Sequence, residues 1–210
     1  MRTFRHWTPR YLFNRMVEKI YRRRRPDLPW LTPTANEILE TYLTKTDKGL
    51  EFGSGKSTIW FARRIAALTS VEHNPVWYQK VTGMLSERKI NNVKYLLHEK
   101  GVEDEQGLEA AYVRAAVEIE DESLDFVLID GIYRDACALT SINKLKPGGV
   151  MVIDNANLYL PCLSKAPNSR STQDGPATQG WSQYYNMVKD WRSIWTGNGV
   201  SDTAFYFKGN

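Results

Sequence analysis

The sequence has few of the residues on which disulfide-bonded, metal-binding and membrane-spanning proteins depend. Only two cysteines, Cys137 and Cys162, occur among 210 residues, so neither a disulfide framework nor a cysteine-based metal site is indicated. The three histidines, His6, His73 and His98, lack the spacing of metal ligands. No apolar run approaches the roughly 20 residues of a membrane-spanning helix. These absences favour a cytoplasmic protein with reduced thiols and a buried core.

A complete phosphate-binding loop is also missing, although residues 49–58, GLEFGSGKST, contain part of one. The pattern G-x-x-x-x-G-K-[ST] requires a glycine at the position of Leu50. The dinucleotide pattern G-x-G-x-x-G is incomplete too, because Thr58 stands at its third glycine. What remains is a tight Gly53-x-Gly55 turn after a strand, which lets a ligand approach the backbone closely. The stretch therefore indicates a small-ligand loop, but no site for a nucleoside triphosphate.

Positive charge is concentrated at the start of the chain. The formal net charge is +4, but residues 1–25 carry +8 and the remainder carries −4. Arginines interrupt every apolar stretch there, which excludes a secretory signal. Because the excess is local, we expect no nucleic-acid partner for the rest of the chain.

The same segment predicts an amphipathic helix over residues 9–24, with Thr8 as its N-cap and Pro9 in the first helical position. Its apolar stripe consists of Leu12, Phe13, Met16, Val17, Ile20 and Tyr21. We expect residues 1–34 to form a basic helical extension whose stripe packs on the rest of the chain near the substrate entrance. The alternative is that residues 1–25 contact a membrane surface or an acidic partner.

Strands and helices alternate through the rest of the chain. Strands are predicted over residues 48–52, 70–73, 93–98, 124–129 and 150–153, and helices over 35–43, 57–67, 75–89, 108–119 and 135–145. Residues 164–180 predict a mobile loop, residues 181–191 an aromatic helix of the core or an interface, and residues 192–195 and 203–208 a hairpin around Asn198-Gly199. The pattern is typical of an α/β fold of the Rossmann-like, doubly wound type: a mostly parallel seven-stranded sheet with an antiparallel C-terminal hairpin and N-terminal helices.

Polar residues stand at four of the predicted strand ends. They are Glu51, Glu72, Asp130, and Asp154 with Asn155. In an open α/β sheet, ligands bind beyond the carboxyl ends of the strands, where the strand order reverses. A carboxylate at the end of the second strand can accept both hydroxyls of a ribose, so the pattern predicts a nucleoside-containing ligand.

Five features in this order resemble class I S-adenosylmethionine-dependent methyltransferases. The matching stretches are LEFGSGKST (50–58) for the first motif, SVEHN (70–74) for the ribose-binding strand end, FVLIDG (126–131) and LKPGGVMVIDN (145–155) for the fourth and fifth strands, and the C-terminal helix and hairpin for the reversed last strand. The resemblance covers about residues 35–208 and implies that residues 35–210 form the cofactor-binding domain.

By this resemblance, the loop after the first strand holds the methionine end of S-adenosylmethionine, and Glu72 holds the ribose. The cofactor-binding residues that it implies are Glu51, Gly53, Ser54, Gly55, Ser57, Glu72, His73 and Asp130. Lys56 then has no phosphate to neutralise, and we expect it to be solvated.

The fourth and fifth strand ends also resemble those of catechol and caffeoyl-coenzyme A O-methyltransferases, which hold Mg²⁺ or Ca²⁺ through three oxygen ligands. The corresponding residues are Asp130, Asp154 and Asn155. A metal there would lower the pKa of a substrate hydroxyl, whereas many metal-free relatives also end these strands with aspartate. Where those enzymes have a lysine, this chain has Tyr133, followed by Arg134. The candidate catalytic residues are therefore Asp130, Tyr133 and Asp154.

The resemblance implies methyl transfer to a hydroxyl of a small molecule. The alternatives are a methyltransferase acting on nitrogen or on a macromolecule, and a non-catalytic cofactor-binding scaffold at a membrane surface. Thr58 and the C-terminal hairpin disfavour a nicotinamide-dependent dehydrogenase. The sequence indicates neither the substrate nor the oligomeric state.

Overall fold

A computed structural model describes residues 8–101, 107 and 109–209 of the chain. Its helices are α1 (Pro9–Arg24), α2 (Pro33–Tyr42), α3 (Lys56–Ala62), α4 (Pro75–Glu87), α5 (Ala111–Arg114), α6 (Arg134–Ser141) and α7 (Gln179–Val188). Its strands are β1 (Lys48–Phe52), β2 (Ala67–Glu72), β3 (Val93–Leu97), β4 (Leu124–Ile129), β5 (Leu145–Asp154), β6 (Arg192–Gly197) and β7 (Asp202–Phe207). No helix in the described ranges has both the length and the apolar character needed to cross a membrane.

The strands form one sheet in the order β3-β2-β1-β4-β5-β7-β6. The first five strands are parallel, and β7 inserts antiparallel between β5 and β6. The predicted fold class is therefore confirmed. The strand order reverses between β1 and β4, so the carboxyl ends of these two neighbours form the crevice at which ligands bind in such sheets.

Both faces of the sheet are covered, as the nearly continuous apolar runs of β4 and β5 require. On one face, the side chains of Leu50 and Val127 pack with α5, α6 and α7. On the other face, the side chains of Phe126 and Leu128 pack with α2 and α3. The aromatic helix α7 is part of the first cluster, because Trp181 lies fully buried there, and the prediction of a core role is confirmed.

Three of the helices begin with a polar N-cap followed by proline. Thr8, Thr32 and Asn74 each accept a hydrogen bond from a backbone N–H in the first turn of α1, α2 and α4. Proline at the next position has no N–H to leave unsatisfied, and its φ angle already suits a helix. The starts of α1 and α4 match the predicted ones, whereas α2 begins at Pro33, two residues before its predicted start.

Several predicted boundaries are wrong for local reasons. The helix predicted over 57–67 ends at Ala62, because the N–H groups of Ala66 and Ala67 both donate to the carbonyl of Asp47 and draw the chain into β2 three residues early. The helix predicted over 108–119 is reduced to α5 with turns of the i→i−3 type after it, and Leu108 lies outside the described residues.

Strand β5 begins at Leu145 instead of Val150. The residues between them bulge out of the ladder, since Leu145 pairs with Leu124 while Val150 pairs with Phe126. Gly148 has a φ of +79° at this bulge. Helix α6 accordingly ends at Ser141, four residues before the predicted end, and a short 3₁₀ turn leads into the strand. Helix α7 begins at Gln179, inside the segment predicted to be a loop.

The predicted packing of α1 is wrong in a more consequential way. Five members of the apolar stripe are exposed by 43–60%, namely Leu12, Phe13, Met16, Val17 and Ile20. The only buried residue of the helix is Glu18, on the opposite face. Helix α1 therefore packs on the chain through its polar side.

Candidate functional site

The carboxyl ends of β1, β2 and β4 enclose a cavity of about 350 Å³. Its walls come from residues 53–54, from residues 72–74 with Trp77, and from residues 130–132. The cavity lies at the reversal of strand order, which is where the topology predicts a ligand site. Of the predicted cofactor residues, Gly53, Ser54, Glu72, His73 and Asp130 line it.

The turn after β1 contains two glycines with different roles. Gly53 has a φ of +94°, and a Cβ atom there would lie 2.8 Å from the backbone carbon of Asp130. Gly55 is extended, and the nearest atoms to an added Cβ would be those of Trp77, at 3.8 Å. Gly53 is therefore required by the fold, whereas Gly55 keeps the approach to the backbone open.

Glu51, at the end of β1, is completely buried. Its Oε2 atom accepts hydrogen bonds from the hydroxyls of Thr58 and Ser70, both at 2.6 Å. No hydrogen bond reaches its Oε1 atom from the described residues. Burial raises the pKa of Glu51 to about 7, although nearby hydroxyls, including that of Ser57, lower it in part. The Oε1 atom of such a carboxyl group can accept a hydrogen bond from a bound water or from a polar or cationic group of a ligand.

Glu72, at the end of β2, organises two loops at once. Its Oε2 atom accepts hydrogen bonds from the backbone N–H and the hydroxyl of Ser54, at 3.2 and 2.6 Å. Its Oε1 atom accepts from the backbone N–H groups of His73 and Asn74, both at 2.9 Å. The carboxylate is thus held in one orientation beside the cavity, and its role as a ribose acceptor stays a prediction.

Trp77 was missed by the sequence-based prediction. It lies in the first turn of α4, donates its indole N–H to the carbonyl oxygen of Ser54 at 2.7 Å and lines the cavity. The Asn74-Pro75 start of α4, directly after β2, was the available signal. A helix that starts there brings its first turn to the same sheet edge.

Asp130 and Asp154, at the ends of β4 and β5, are joined by Arg134. The guanidinium donates to Oδ1 of Asp130 at 2.9 Å and to the backbone carbonyls of Asp130, Gly131 and Asp154 at 2.6–2.9 Å. It therefore binds the strand ends around the carboxyl pair through four hydrogen bonds. Arg134 was noticed in the sequence as the residue after Tyr133 but was not included among the predicted site residues.

Burial raises the pKa values of both aspartates. For Asp154, burial followed by the charge of Asp130 raises the pKa to about 8. For Asp130, the Arg134 guanidinium and a hydrogen bond from Asp154 oppose the rise in pKa that burial causes. Asp130 is the partly exposed member of the pair and lines the cavity.

The described residues do not support the predicted metal site at Asp130, Asp154 and Asn155. No group of three or more His, Cys, Asp or Glu side chains within the described ranges could hold an ion. The positive charge between the strand ends comes from Arg134, which donates to Asp130 at 2.9 Å and would compete with a metal for that oxygen. Asn155 has a left-handed backbone with a φ of +52°.

The side chain of Tyr133 is directed differently from the carboxyl groups of Asp130 and Asp154. Its ring lies against the backbone of Gly107, and Nζ of Lys100 is 5.7 Å from the ring centroid. It does not line the cavity described above. A catalytic role for Tyr133 stays a prediction.

The N-terminal segment reaches the same edge of the sheet. The backbone N–H of Thr32 donates to the hydroxyl of Thr203 at 3.3 Å, and that hydroxyl donates to Oδ1 of Asp154 at 3.0 Å. Burial raises the pKa of Asp130, and the positive charge of Arg22, on α1, offsets a small part of this rise. A wider groove of about 580 Å³ lies beside the ends of β6 and β7 and is lined by Arg10 and residues 161–165. Helix α1 thus borders this groove.

Comparisons with known proteins find similarity of structure only. No protein-family model matches the chain, and no curated protein matches it in sequence. Among solved structures, a methyltransferase from Geobacter sulfurreducens is 12% identical with a TM-score of 0.57, over 94% of this chain and 89% of its own. A methyltransferase-like protein from Silicibacter pomeroyi is 21% identical with a TM-score of 0.56, over 87% and 89%. A candidate methyltransferase from Streptococcus mutans, in complex with SAH, is 13% identical with a TM-score of 0.54, over 83% and 96%.

At these identities the comparisons show that the chain has the Rossmann-like fold found in methyltransferase structures. They do not reach the catechol and caffeoyl-coenzyme A type in particular. The chemistry of the site has to be argued from its own residues.

Proposed function

We propose that this chain is an S-adenosylmethionine-dependent methyltransferase that acts on a hydroxyl group of a small molecule. The observation that carries the proposal is the cavity at the reversal of strand order, which is bordered by the oriented carboxylate of Glu72 and the turn at Gly53 and Ser54. Its volume of about 350 Å³ lies in the range typical of small-molecule sites.

The residues around the cavity fit an amino acid–nucleoside conjugate. Glu72 lines the cavity and accepts four hydrogen bonds, so a ribose hydroxyl would take the place of a side-chain donor such as the hydroxyl of Ser54. Trp77 and Ile132 supply apolar walls. Glu51 has a buried oxygen without a hydrogen-bond partner in the described residues, and an ammonium group or a water that it holds would satisfy this oxygen.

S-adenosylmethionine supplies a methyl group that its sulfonium already activates. The chain therefore has mainly to position an acceptor in line with that methyl and to remove a proton. Asp130 is the group that we assign as proton acceptor, since it lines the cavity, is paired with the Arg134 guanidinium and has a raised pKa. Asp154 donates to it, and Arg134 holds both strand ends in place.

The acceptor would approach from the groove beside β6 and β7. Its walls include Arg10 of α1 and residues 161–165 of the connection between β5 and α7. These two segments are accordingly the candidates for substrate specificity.

Isothermal calorimetry tests the cofactor. We expect S-adenosylmethionine and S-adenosylhomocysteine to bind at micromolar concentrations, and NAD and ATP to show no measurable binding. The matched control is Lys56→Ala, which should leave every result unchanged, because Lys56 donates to the carbonyl oxygen of Pro26 and does not line the cavity. ATP binding that is lost in Lys56→Ala would contradict the proposal.

Transfer of label from methyl-labelled S-adenosylmethionine tests the reaction. Pools of small phenols and alcohols should be labelled, and pools of amines or of RNA should not. Cofactor binding without transfer to any pool would favour the non-catalytic scaffold, and label on amines or RNA would favour the nitrogen- or macromolecule-directed alternative.

A further inference from the structure

Helix α1 presents its apolar side to the surroundings and its polar side to the protein. The five exposed residues Leu12, Phe13, Met16, Val17 and Ile20, here termed the outer stripe, recur at helical spacing on one face. In most surface helices such a face is buried against the core. Here the arrangement is reversed.

Specific polar contacts hold this reversed orientation. Glu18 is buried between Arg15 and Arg22, with N···O distances of 2.7 and 2.6 Å. The guanidinium of Arg22 lies over the ring of Trp30, 5.0 Å from its centroid. The side chain of Asn14 lies against Gly199 in the β6–β7 turn. Rotating the helix to bury its apolar side would expose Glu18 and break the contacts of Arg22 with Trp30 and of Asn14 with Gly199, whereas the two ion pairs of Glu18 lie within the helix.

The outer stripe forms a continuous apolar surface. Its members are i, i+3 and i+4 neighbours along the helix, so their side chains adjoin one another with no polar residue between them. Monomeric proteins rarely leave apolar patches of this kind in water, and such patches mark contact sites.

The charges beside the stripe identify the occupant. Four exposed basic residues border it, namely Arg10, Lys19, Arg23 and Arg24. The only acidic residue of the helix is Glu18, which is buried and already paired. A second copy that used the same face would bring two sets of these cations together with no exposed acid on either helix to compensate. The complementary surface is therefore anionic and apolar at once.

We propose that α1 lies in the interface of an anionic lipid bilayer, with the outer stripe immersed between the lipids and the bordering arginines and lysine at the headgroups. The polar face remains on the protein, so the binding needs no unfolding of the contacts around Glu18. This proposal does not depend on the enzymatic function proposed above.

Co-sedimentation of the full chain with vesicles tests the proposal. The vesicles contain phosphatidylcholine alone or with 30% phosphatidylserine, and the probe is the vesicle itself. We expect partitioning onto the anionic vesicles to be at least tenfold stronger than onto the neutral ones, and to weaken as salt is raised.

The test variant replaces three members of the stripe: Phe13→Ser, Met16→Ser and Ile20→Ser. The matched control makes the same change at three exposed apolar residues outside α1, at Val117, Met187 and Ile194. All six positions are exposed, so both variants should fold, which circular dichroism checks. We expect partitioning to fall at least tenfold in the stripe variant and to stay within about twofold of wild type in the control.

A charge variant tests the second half of the proposal. Replacing Lys19, Arg23 and Arg24 with glutamine should weaken anionic-vesicle binding by about fivefold for each lysine or arginine removed. Equal partitioning of the stripe variant and its control would overturn the proposal. So would a dimer, detected by light scattering, that only the stripe variant converts to monomer, since it would assign the outer stripe to a second copy of the chain.

Discussion

Acidic residues follow two pairs of strands at the same edge of the sheet, the β1–β2 pair and the β4–β5 pair, and their surroundings give those acids different chemistry. At the β1–β2 end, Glu72 is held by four donors and has a fixed acceptor role. At the β4–β5 end, burial raises the pKa values of both Asp130 and Asp154, and the guanidinium of Arg134 opposes the rise. In the proposed function, residues of one chemical class at equivalent strand ends thus serve as a binding group in one place and a proton-handling group in the other.

The difference comes from what surrounds each carboxyl group. Backbone N–H groups stabilise a carboxylate and fix its direction. Proximity of two carboxyl groups in a buried place penalises the second negative charge and retains a proton. Substitutions at the ends of β1 and β2 should therefore change cofactor affinity, and substitutions at the ends of β4 and β5 should change turnover.

The largest effect is expected from Asp130→Asn. Loss of the proton acceptor should lower turnover by about 10² to 10⁴. Affinity for S-adenosylhomocysteine should change by no more than about threefold, because asparagine keeps the size and polarity of the side chain. The measurements are labelled-methyl transfer and calorimetry.

The matched control for this variant is Asp125→Asn at the other end of β4, where Asp125 is paired with Lys146. It should leave turnover unchanged. Full turnover in Asp130→Asn would show that the proton acceptor is not the carboxyl group at the end of β4.

Gly53 follows β1 and lies against the backbone of Asp130, which follows β4. Its substitution should therefore affect cofactor binding and turnover together. In Gly53→Ala the Cβ atom meets the backbone of Asp130, and a φ of +94° is strained for alanine. We expect a loss of about 2 kcal/mol or more in the free energy of unfolding, with binding and turnover both lost. Urea denaturation measures it.

The companion variant is Gly55→Val, whose Cβ atom would lie 3.8 Å from the ring of Trp77, in ordinary van der Waals contact and without a clash. It should stay within about 1 kcal/mol of the wild-type stability and yet lose cofactor affinity by about tenfold or more. Equal stability losses in both variants would show that the two glycines do not differ as described.

Glu72→Ala should distinguish the two pairs of strand ends most clearly, because it should change cofactor affinity and leave turnover nearly unchanged. Hydrogen bonds to a charged acceptor are each worth roughly 1.5–3 kcal/mol, so the cofactor Kd should rise by about tenfold to a hundredfold. At saturating cofactor, turnover should remain within about threefold of wild type. Calorimetry and saturation kinetics measure the two quantities.

Glu87→Ala, at the end of α4, serves as the control and should behave as wild type. A Glu72→Ala protein that binds normally but turns over slowly would reverse the assignment of the two ends.

The smallest effect concerns pH and stability. The folded-state pKa values of Glu51 and Asp154 are raised to about 7 and about 8, so the folded protein holds protons that the unfolded chain releases near pH 4. Their contribution to the unfolding free energy is fully present below about pH 4 and is lost as the pH rises through 7 and 8. Tm should accordingly fall between about pH 4 and pH 8 and change little through these two groups above pH 8.

The double variant Glu51→Gln, Asp154→Asn should show a shallower fall in Tm over this range, by on the order of 5 °C. Differential scanning calorimetry measures it. A pH dependence equal to that of wild type would mean that neither group is protonated in the folded protein.

Much of the fold could be predicted because its signals are local. The alternation of strands and helices, the Thr8-Pro9 and Asn74-Pro75 helix starts and the acids at strand ends each depend on a few neighbouring residues. The boundaries that failed depend on partners elsewhere. One example is the carbonyl of Asp47, which ends the turn after α3 from outside that segment.

The candidate site was only partly predictable for the same reason. Glu72 and Gly53 belong to a recognisable pattern, whereas the role of Arg134 comes from the convergence of two strand-end residues, Asp130 and Asp154, that are more than 20 residues apart in the chain. The packing of α1 was missed because amphipathicity defines an apolar side without saying what surrounds it. The spacing of Arg15, Glu18 and Arg22 at i+3 and i+4 was the available signal for the inner face.

The reversed direction of β7 has a practical consequence for handling the protein. Because β7 runs against β5, it starts beside Asp154 at the cavity edge and ends beside Val150, at the far edge of the sheet. Lys208 is anchored there by a hydrogen bond to the carbonyl of Leu145 at 2.7 Å. An affinity tag or fluorophore fused after residue 210 would leave from the edge opposite the cavity, whereas one fused before residue 1 would join the segment that leads into α1. Immobilisation through the C-terminal side should therefore keep both the cavity and the outer stripe accessible in surface-based binding measurements.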